Sequence, residues 1–258
     1  MENKKYKIVV LSDLKSTTVS LIKNTVGLAK MINGDIELFH VKKPTEIVKR
    51  ESQLSAVRDI NEQSLNTHNQ LKNLLEPIAK DYDIKLSYKY AIGNVKGEIE
   101  SYIKESSPDI IVLGKRKPSA IRIVGDNLAD FVLKKFEGPV LITSNDDLLA
   151  SNKMLSMGIL NDFGKSLNTS LTENLINNTK EPLKKFKIEG LAESEKASDL
   201  YQNRKIVEYV FNDGSRTIET ISDYVSKSNI NLLCLDRNYK GSLTKKAINK
   251  VNVSLLVT

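Results

Sequence analysis

Apolar positions along the chain fall into short runs separated by amphipathic stretches, and the two kinds alternate. KIVVLS (7–12) is a compact β-rich run, and residues 16–32 follow with Leu21, Ile22, Leu28 and Ile32 at helical spacing. DIELFHV (35–41) reads as a strand, residues 53–81 as a long amphipathic helix, and IKLSYKYAI (84–92) as an alternating strand. Residues 95–105 predict a helix, DIIVLG (109–114) a buried strand, 124–136 a helix and PVLIT (139–143) a last strand. This β-α-β-α-β-α-β-α-β order predicts an α/β fold with a doubly wound parallel sheet. The most apolar runs lack period-two alternation, as expected when helices cover both faces of a sheet.

The pattern then repeats. A polar stretch, SNDDLLASN (144–152), has the composition of a linker. Beyond it, LNDFGKS (160–166) echoes LSDLKS (11–16), which puts Asp13 and Asp162 each just past a strand. YIKESSPDIIVLG (102–114) aligns without gaps on YVSKSNINLLCLD (224–236), and PVLIT on SLLVT (254–258). Three matches in the same order predict two copies of one unit, with domains at 1–147 and 148–258. The second copy is reduced. Between its second and third strands it has a short polar stretch, roughly 191–204, in place of the helical insert 44–83.

Composition narrows the function classes. The chain has 258 residues, a net charge of +7 and one cysteine, Cys234, which excludes an internal disulfide and a cysteine-based metal cluster. Its two histidines, His40 and His68, are far apart, and no metal site is expected. The lysines are dispersed among acids and there is no tryptophan, which argues against a nucleic-acid partner. No apolar run is long enough for a membrane span, and the start MENKKYKIVV lacks a signal-peptide core, so a cytoplasmic protein is expected. No nucleophile elbow, Walker loop or defensible carboxylate pair is present, so no catalytic residues are assigned.

The chemistry-bearing stretch is IIVLGKRKPSAIRIVGDN (110–127). A strand ending in Gly114 and a second glycine, Gly125, ahead of a helix are how many α/β proteins hold a phosphate. Glycines let backbone N–H groups approach, and a helix N-terminus favours an anion. The middle of this loop instead carries Lys115, Arg116, Lys117 and Pro118. Those cations read either as an anion grip or as a solvated loop.

VVLSDLKST, ELFHV, AIGN, PDIIVLG and NLADFVLKKFEGPVLIT together resemble the universal stress protein family, and the whole chain resembles a tandem of two such domains. The resemblance implies strand order 3-2-1-4-5 in each domain. It also implies a ligand cleft at the carboxyl ends of strands one and four, and an adenine nucleotide, ATP or AMP, in members that keep the loop G-x2-G-x9-G-(S/T). Carried over residue by residue, the N-terminal copy keeps Asp13, Val41 and Gly114. Lys117 stands at the second glycine, and Gly125-Asp126 or Asp126-Asn127 at the closing pair. In either register a carboxylate meets the arriving phosphate, which opposes binding. The C-terminal copy keeps Asp162 and Gly241-Ser242 but has Asp236 for the first glycine and little loop between.

The nucleotide-site candidates are therefore Asp13, Val41, Gly114, Lys115, Arg116, Lys117, Gly125 and Asn127. Asp13 has two readings, a ribose or adenine contact and a cap on the helix starting near Ser16. His40 reads as structural, His68 as packed or partly buried on the stripe Val57, Leu65, Leu71, Leu75 and Ile78, and Cys234 as an inert buried thiol.

By resemblance the halves join through their fifth strands. An edge strand leaves backbone groups unpaired, and a copy of itself can cover them, so Val140, Leu141 and Ile142 are expected against Leu255, Leu256 and Val257. The expected partner is thus the other half of the same chain, with a homodimer and an unidentified protein partner left open. Three functions stand: a stress-response accessory or regulatory protein acting by binding, an adenine-nucleotide binder with slow or no hydrolysis, and a structural dimerisation scaffold.

Overall fold

The computed structural model describes residues 5–46, 53–115, 128–144, 149, 154–161, 169–179, 182–190, 204–237 and 241–258. The N-terminal half runs β1 (Tyr6–Ser12), α1 (Thr18–Ile32), β2 (Gly34–Lys42), α2 (Gln53–Tyr82), β3 (Leu86–Ile92), α3 (Val95–Ser106), β4 (Ile110–Gly114), α4 (Leu128–Lys135) and β5 (Val140–Thr143). The C-terminal half runs β6 (Met157–Leu160), α5 (Thr169–Asn177), β7 (Leu183–Ile188), β8 (Ile206–Phe211), α6 (Thr217–Lys227), β9 (Leu232–Leu235), α7 (Gly241–Lys250) and β10 (Ser254–Val257). The expected helix over 124–136 is seen as Leu128–Lys135, with 124–127 outside the described residues.

Among the described residues, ten strands form one sheet in the order β3-β2-β1-β4-β5-β10-β9-β6-β7-β8. The first five places read 3-2-1-4-5, and the last five mirror them. Every neighbouring pair is parallel except β5 with β10, which is antiparallel. The registers agree with the internal repeat: Ile8 pairs with Ile110 in one half and Met157 with Leu232 in the other. At the seam, Val140, Leu141 and Ile142 face Val257, Leu256 and Leu255. Because the repeat aligns Leu141 with Leu256, the pseudo-two-fold axis passes between these two residues.

Side chains on the two faces of the sheet form two cores, and each core crosses the seam. Ile8, Val10, Ile22, Leu38, Leu71 and Leu141 share a cluster with Met157, Leu171, Cys234 and Leu256. Val9, Ile111, Val132 and Val140 share the other with Leu233, Val251 and Leu255. Burial on both faces explains the continuous apolar runs of the central strands. Helix α1 is packed on the first face and touches α5 of the other half, which is why it buries even Asn24. That amide is satisfied across the turn after β5: its Oδ1 accepts from Leu149 N at 2.9 Å and its Nδ2 donates to the Ser144 carbonyl at 3.4 Å. The helix ends at Asn33, whose left-handed conformation (φ 56°) lets its N–H bond the Ala29 carbonyl.

Helix α2 covers the edge pair β2–β3 with Leu71, Leu75 and Ile78, all buried. Its N-terminal part lifts away from the core: Val57 is 56% and Leu65 61% exposed. His68 lies on the exposed side rather than packed in the stripe, and its Nδ1 hydrogen-bonds the Tyr88 hydroxyl at 3.2 Å. The apolar stripe thus outruns the width of sheet available to it.

Candidate functional site

Strand order reverses between β1 and β4, and it is there that a doubly wound sheet opens a crevice at its carboxyl edge. Ser12 of β1 pairs with His40 of β2, and Leu11 of β1 with Leu113 of β4. By this register Gly114 lies level with Ser12 and His40, and Asp13 and Val41 follow one residue beyond, so the three lie at the same carboxyl edge of the sheet. A Cβ built on Gly114 would meet, among the described residues, only the Leu21 methyls, the nearer at 3.7 Å. Packing against the described residues does not demand glycine there.

Asp13 is exposed. It does not cap α1, which begins at Thr18 behind Thr17 with no side-chain cap. The chain turns first, at Leu14 with φ 56°. Asp13 Oδ1 accepts from the Lys15 N–H at 3.2 Å, and Oδ2 lies 3.6 Å from the Lys15 ammonium. The capping alternative falls because the left-handed turn carries Asp13 off the helix axis. Ser12 Oγ braces that turn by accepting from Leu14 N at 3.1 Å and bonding the Thr18 hydroxyl at 2.9 Å.

His40 is buried, with Nδ1 2.9 Å from the Ser12 carbonyl. A carbonyl only accepts, so Nδ1 carries the proton. Burial lowers the pKa of the imidazole, the Ser12 bond opposes that shift, and the Lys42 charge adds to it. The side chain ties the end of β2 to the end of β1 and so fixes the rim beneath Asp13.

Lys115 leaves the rim. Its N–H bonds the Thr143 carbonyl at 2.9 Å, and its ammonium donates to the carbonyl of Val251, at the end of α7 in the other half. Burial lowers the pKa of this lysine. Arg116, Lys117, Gly125 and Asn127 lie outside the described residues, as do Pro118, Asp126 and Asp162. In the C-terminal half, Asp236 is buried at the end of β9. Cys234 is also buried, and burial pushes its thiol pKa up.

A groove of about 630 Å³ lies elsewhere, along the edge strand β3. It is lined by Phe39, Tyr88, Tyr90, Tyr102 and His68 with Glu98 and Glu105, and by none of the rim residues. Tyr102 stacks on Phe39 with ring centroids 3.9 Å apart and donates its hydroxyl to Glu37. The alternation of Tyr88 and Tyr90 in IKLSYKYAI hints at an aromatic face, but sequence alone does not bring Tyr102 to it. Among the described residues no group of three or more His, Cys, Asp or Glu could hold a metal, and no helix is long and apolar enough to cross a membrane.

Comparison with known proteins gives a family and a fold. The sequence profile of the universal stress protein family matches residues 6–144. A solved universal stress protein from Archaeoglobus fulgidus DSM 4304 is similar over 97% of both chains, at 14% identity and a TM-score of 0.70. A functionally unknown protein from Pseudomonas aeruginosa PAO1 is similar over 99% of this chain and 92% of its own, at 10% identity and a TM-score of 0.56. No protein of curated function matches.

Proposed function

The chain belongs to the universal stress protein family, and from that premise we propose that it is a cytoplasmic accessory or regulatory protein of the stress response that acts by binding, without robust catalysis. Its boundary between domains falls near residues 147 and 148. The observation that carries this reading is the state of Lys115. Its backbone N–H bonds the Thr143 carbonyl, and its partly buried ammonium donates across the seam to the Val251 carbonyl, so the first residue after Gly114 is turned away from an arriving phosphate. Asp13, the polar side chain at the rim, is negatively charged and held near Lys15. A polyphosphate brought to that rim gains little from either.

A second reading rests on a different observation. Val41, Asp13 and Gly114 lie at one carboxyl edge, and among the described residues a Cβ on Gly114 would make only ordinary contact with Leu21. The family resemblance places an adenosine end against an aspartate after the first strand and the backbone after the second, and AMP sends fewer phosphates toward the loop than ATP does. The two readings separate in a thermal-shift titration of the full chain with AMP and with ATP. A ligand that binds the folded state raises Tm without limit as its concentration passes Kd. The leading reading expects no shift with ATP up to millimolar concentration. A concentration-dependent rise with AMP alone supports the second, and a rise with both, accompanied by phosphate release, overturns the first.

A further inference from the structure

Lys115, one residue past β4, and Arg237, two residues past β9, behave the same way in the two halves. Lys115 follows Gly114 and Arg237 follows Asp236, and the internal repeat aligns the two. The N–H of Lys115 bonds the Thr143 carbonyl at 2.9 Å, and that of Arg237 the Thr258 carbonyl at 2.7 Å. Each side chain then crosses the seam. Lys115 donates to the carbonyl of Val251. Arg237 forks onto three carbonyls in and beyond the last turn of α4: Nη1 donates to Phe136 and, at 3.3 Å, to Leu133, while Nη2 donates at 2.5 Å to Gly138, three residues past the helix. Val251 and Phe136 are themselves equivalent in the repeat.

The geometry follows from the antiparallel seam. Because β5 and β10 run in opposite directions, the end of each lies beside the start of the other, where a helix has just finished. Ser144 N, one residue past β5, bonds Ser254 Oγ at the start of β10 at 3.1 Å. A cation beside the end of its own fifth strand therefore reaches the last carbonyls of the helix opposite. Those carbonyls lack intrahelical partners and carry the negative end of the helix dipole.

We propose that Lys115 and Arg237 are a matched pair of cross-seam latches, each capping the helix that precedes the other half's last strand, and that together they hold the two halves as one body. The backbone seam alone is thin. It has three paired positions, against seven between β1 and β2. The latches add charge-assisted bonds at both of its ends, where strand pairs otherwise fray. The same role explains why two cations occupy positions next to the cleft yet point away from it.

Hydrogen exchange on the full-length chain tests this. Lys115→Met should speed exchange of the amides in Val140–Thr143 and Ser254–Val257 by about tenfold, the loss of one charge-assisted bond. Arg237→Met should speed it more, because three carbonyls lose their donor at once. Arg237→Lys, which keeps the charge and loses the fork, should fall between wild type and Arg237→Met. Both seam strands should respond to either variant. If exchange in both strands stays at the wild-type rate in Lys115→Met and in Arg237→Met, or changes only on the strand nearer the substitution, the latch is refuted. Should Arg237→Met fail to fold, Lys115→Met and Arg237→Lys carry the same test with the same two outcomes.

Discussion

Truncating Leu141 to alanine tests whether the two halves form one cooperative unit. Leu141 has no exposure, pairs with Leu256 at the pseudo-two-fold axis, and belongs to a core that runs from Ile8 and Ile22 in one half to Met157 and Leu171 in the other. A buried Leu→Ala change costs about 2–5 kcal/mol, more where the surroundings cannot close over the cavity. Leu141 sits in the middle of ten strands with its neighbours fixed by register on both sides, so about 3–4 kcal/mol is expected. Set against a stability on the order of 5–15 kcal/mol, this is a large fraction and should lower Tm by about 10 °C. Urea unfolding followed by pulsed hydrogen exchange and mass spectrometry reads the halves separately, with α1 reporting on one and α6 on the other. Both midpoints should fall together by the same amount. A midpoint that falls for α1 while α6 keeps its wild-type value would refute the shared core, as would a wild-type chain that unfolds in two separate steps.

Acidification should weaken the fold through His40. Its folded-state pKa is lowered mainly by burial, so between that value and the unfolded value near 6.5 the unfolded chain binds the extra proton. Stability is then retained above about pH 6.5 and lost as pH falls toward the folded pKa. His40→Gln should flatten this part of the Tm-against-pH curve, and an unchanged slope would contradict the assignment. Cys234 should resist a thiol reagent in the native protein, because it is buried and its thiol pKa is pushed up. Its labelling should accelerate in step with unfolding in urea, whereas fast labelling under native conditions would contradict the packing around β9.

Much of this architecture is legible in the chain. The continuous apolar runs marked the central strands of both halves because those strands are buried on both faces, while the edge strands β3 and β8 alternate. The ungapped match of 102–114 with 224–236 aligns β4 with β9 because both strands do the same job in the same sheet. The cleft residues were less legible. Asp13 has the composition of a helix cap, but the left-handed turn at Leu14 separates it from α1, and nothing in a leucine announces positive φ. His68 follows a helical apolar stripe, yet helix α2 extends past the sheet it covers, so its early turns are wet. Lys115 reads as part of a cationic loop. Its destination, the carbonyl of Val251, is 136 positions away and is set by the direction in which β10 runs. Local pattern carries element type and burial; it does not carry where a long side chain ends up once two halves are joined.

The central claim is that this chain works by binding and that its N-terminal rim does not hold ATP tightly. Isothermal titration calorimetry of ATP into the full-length protein, repeated with Asp13→Ala, tests it most directly. Asp13 is exposed and interacts locally with Lys15, so the substitution should leave the fold intact and isolate the rim. The account predicts no heat of binding at micromolar ATP in either protein. Saturable micromolar binding to the wild-type chain, abolished by Asp13→Ala, would contradict it.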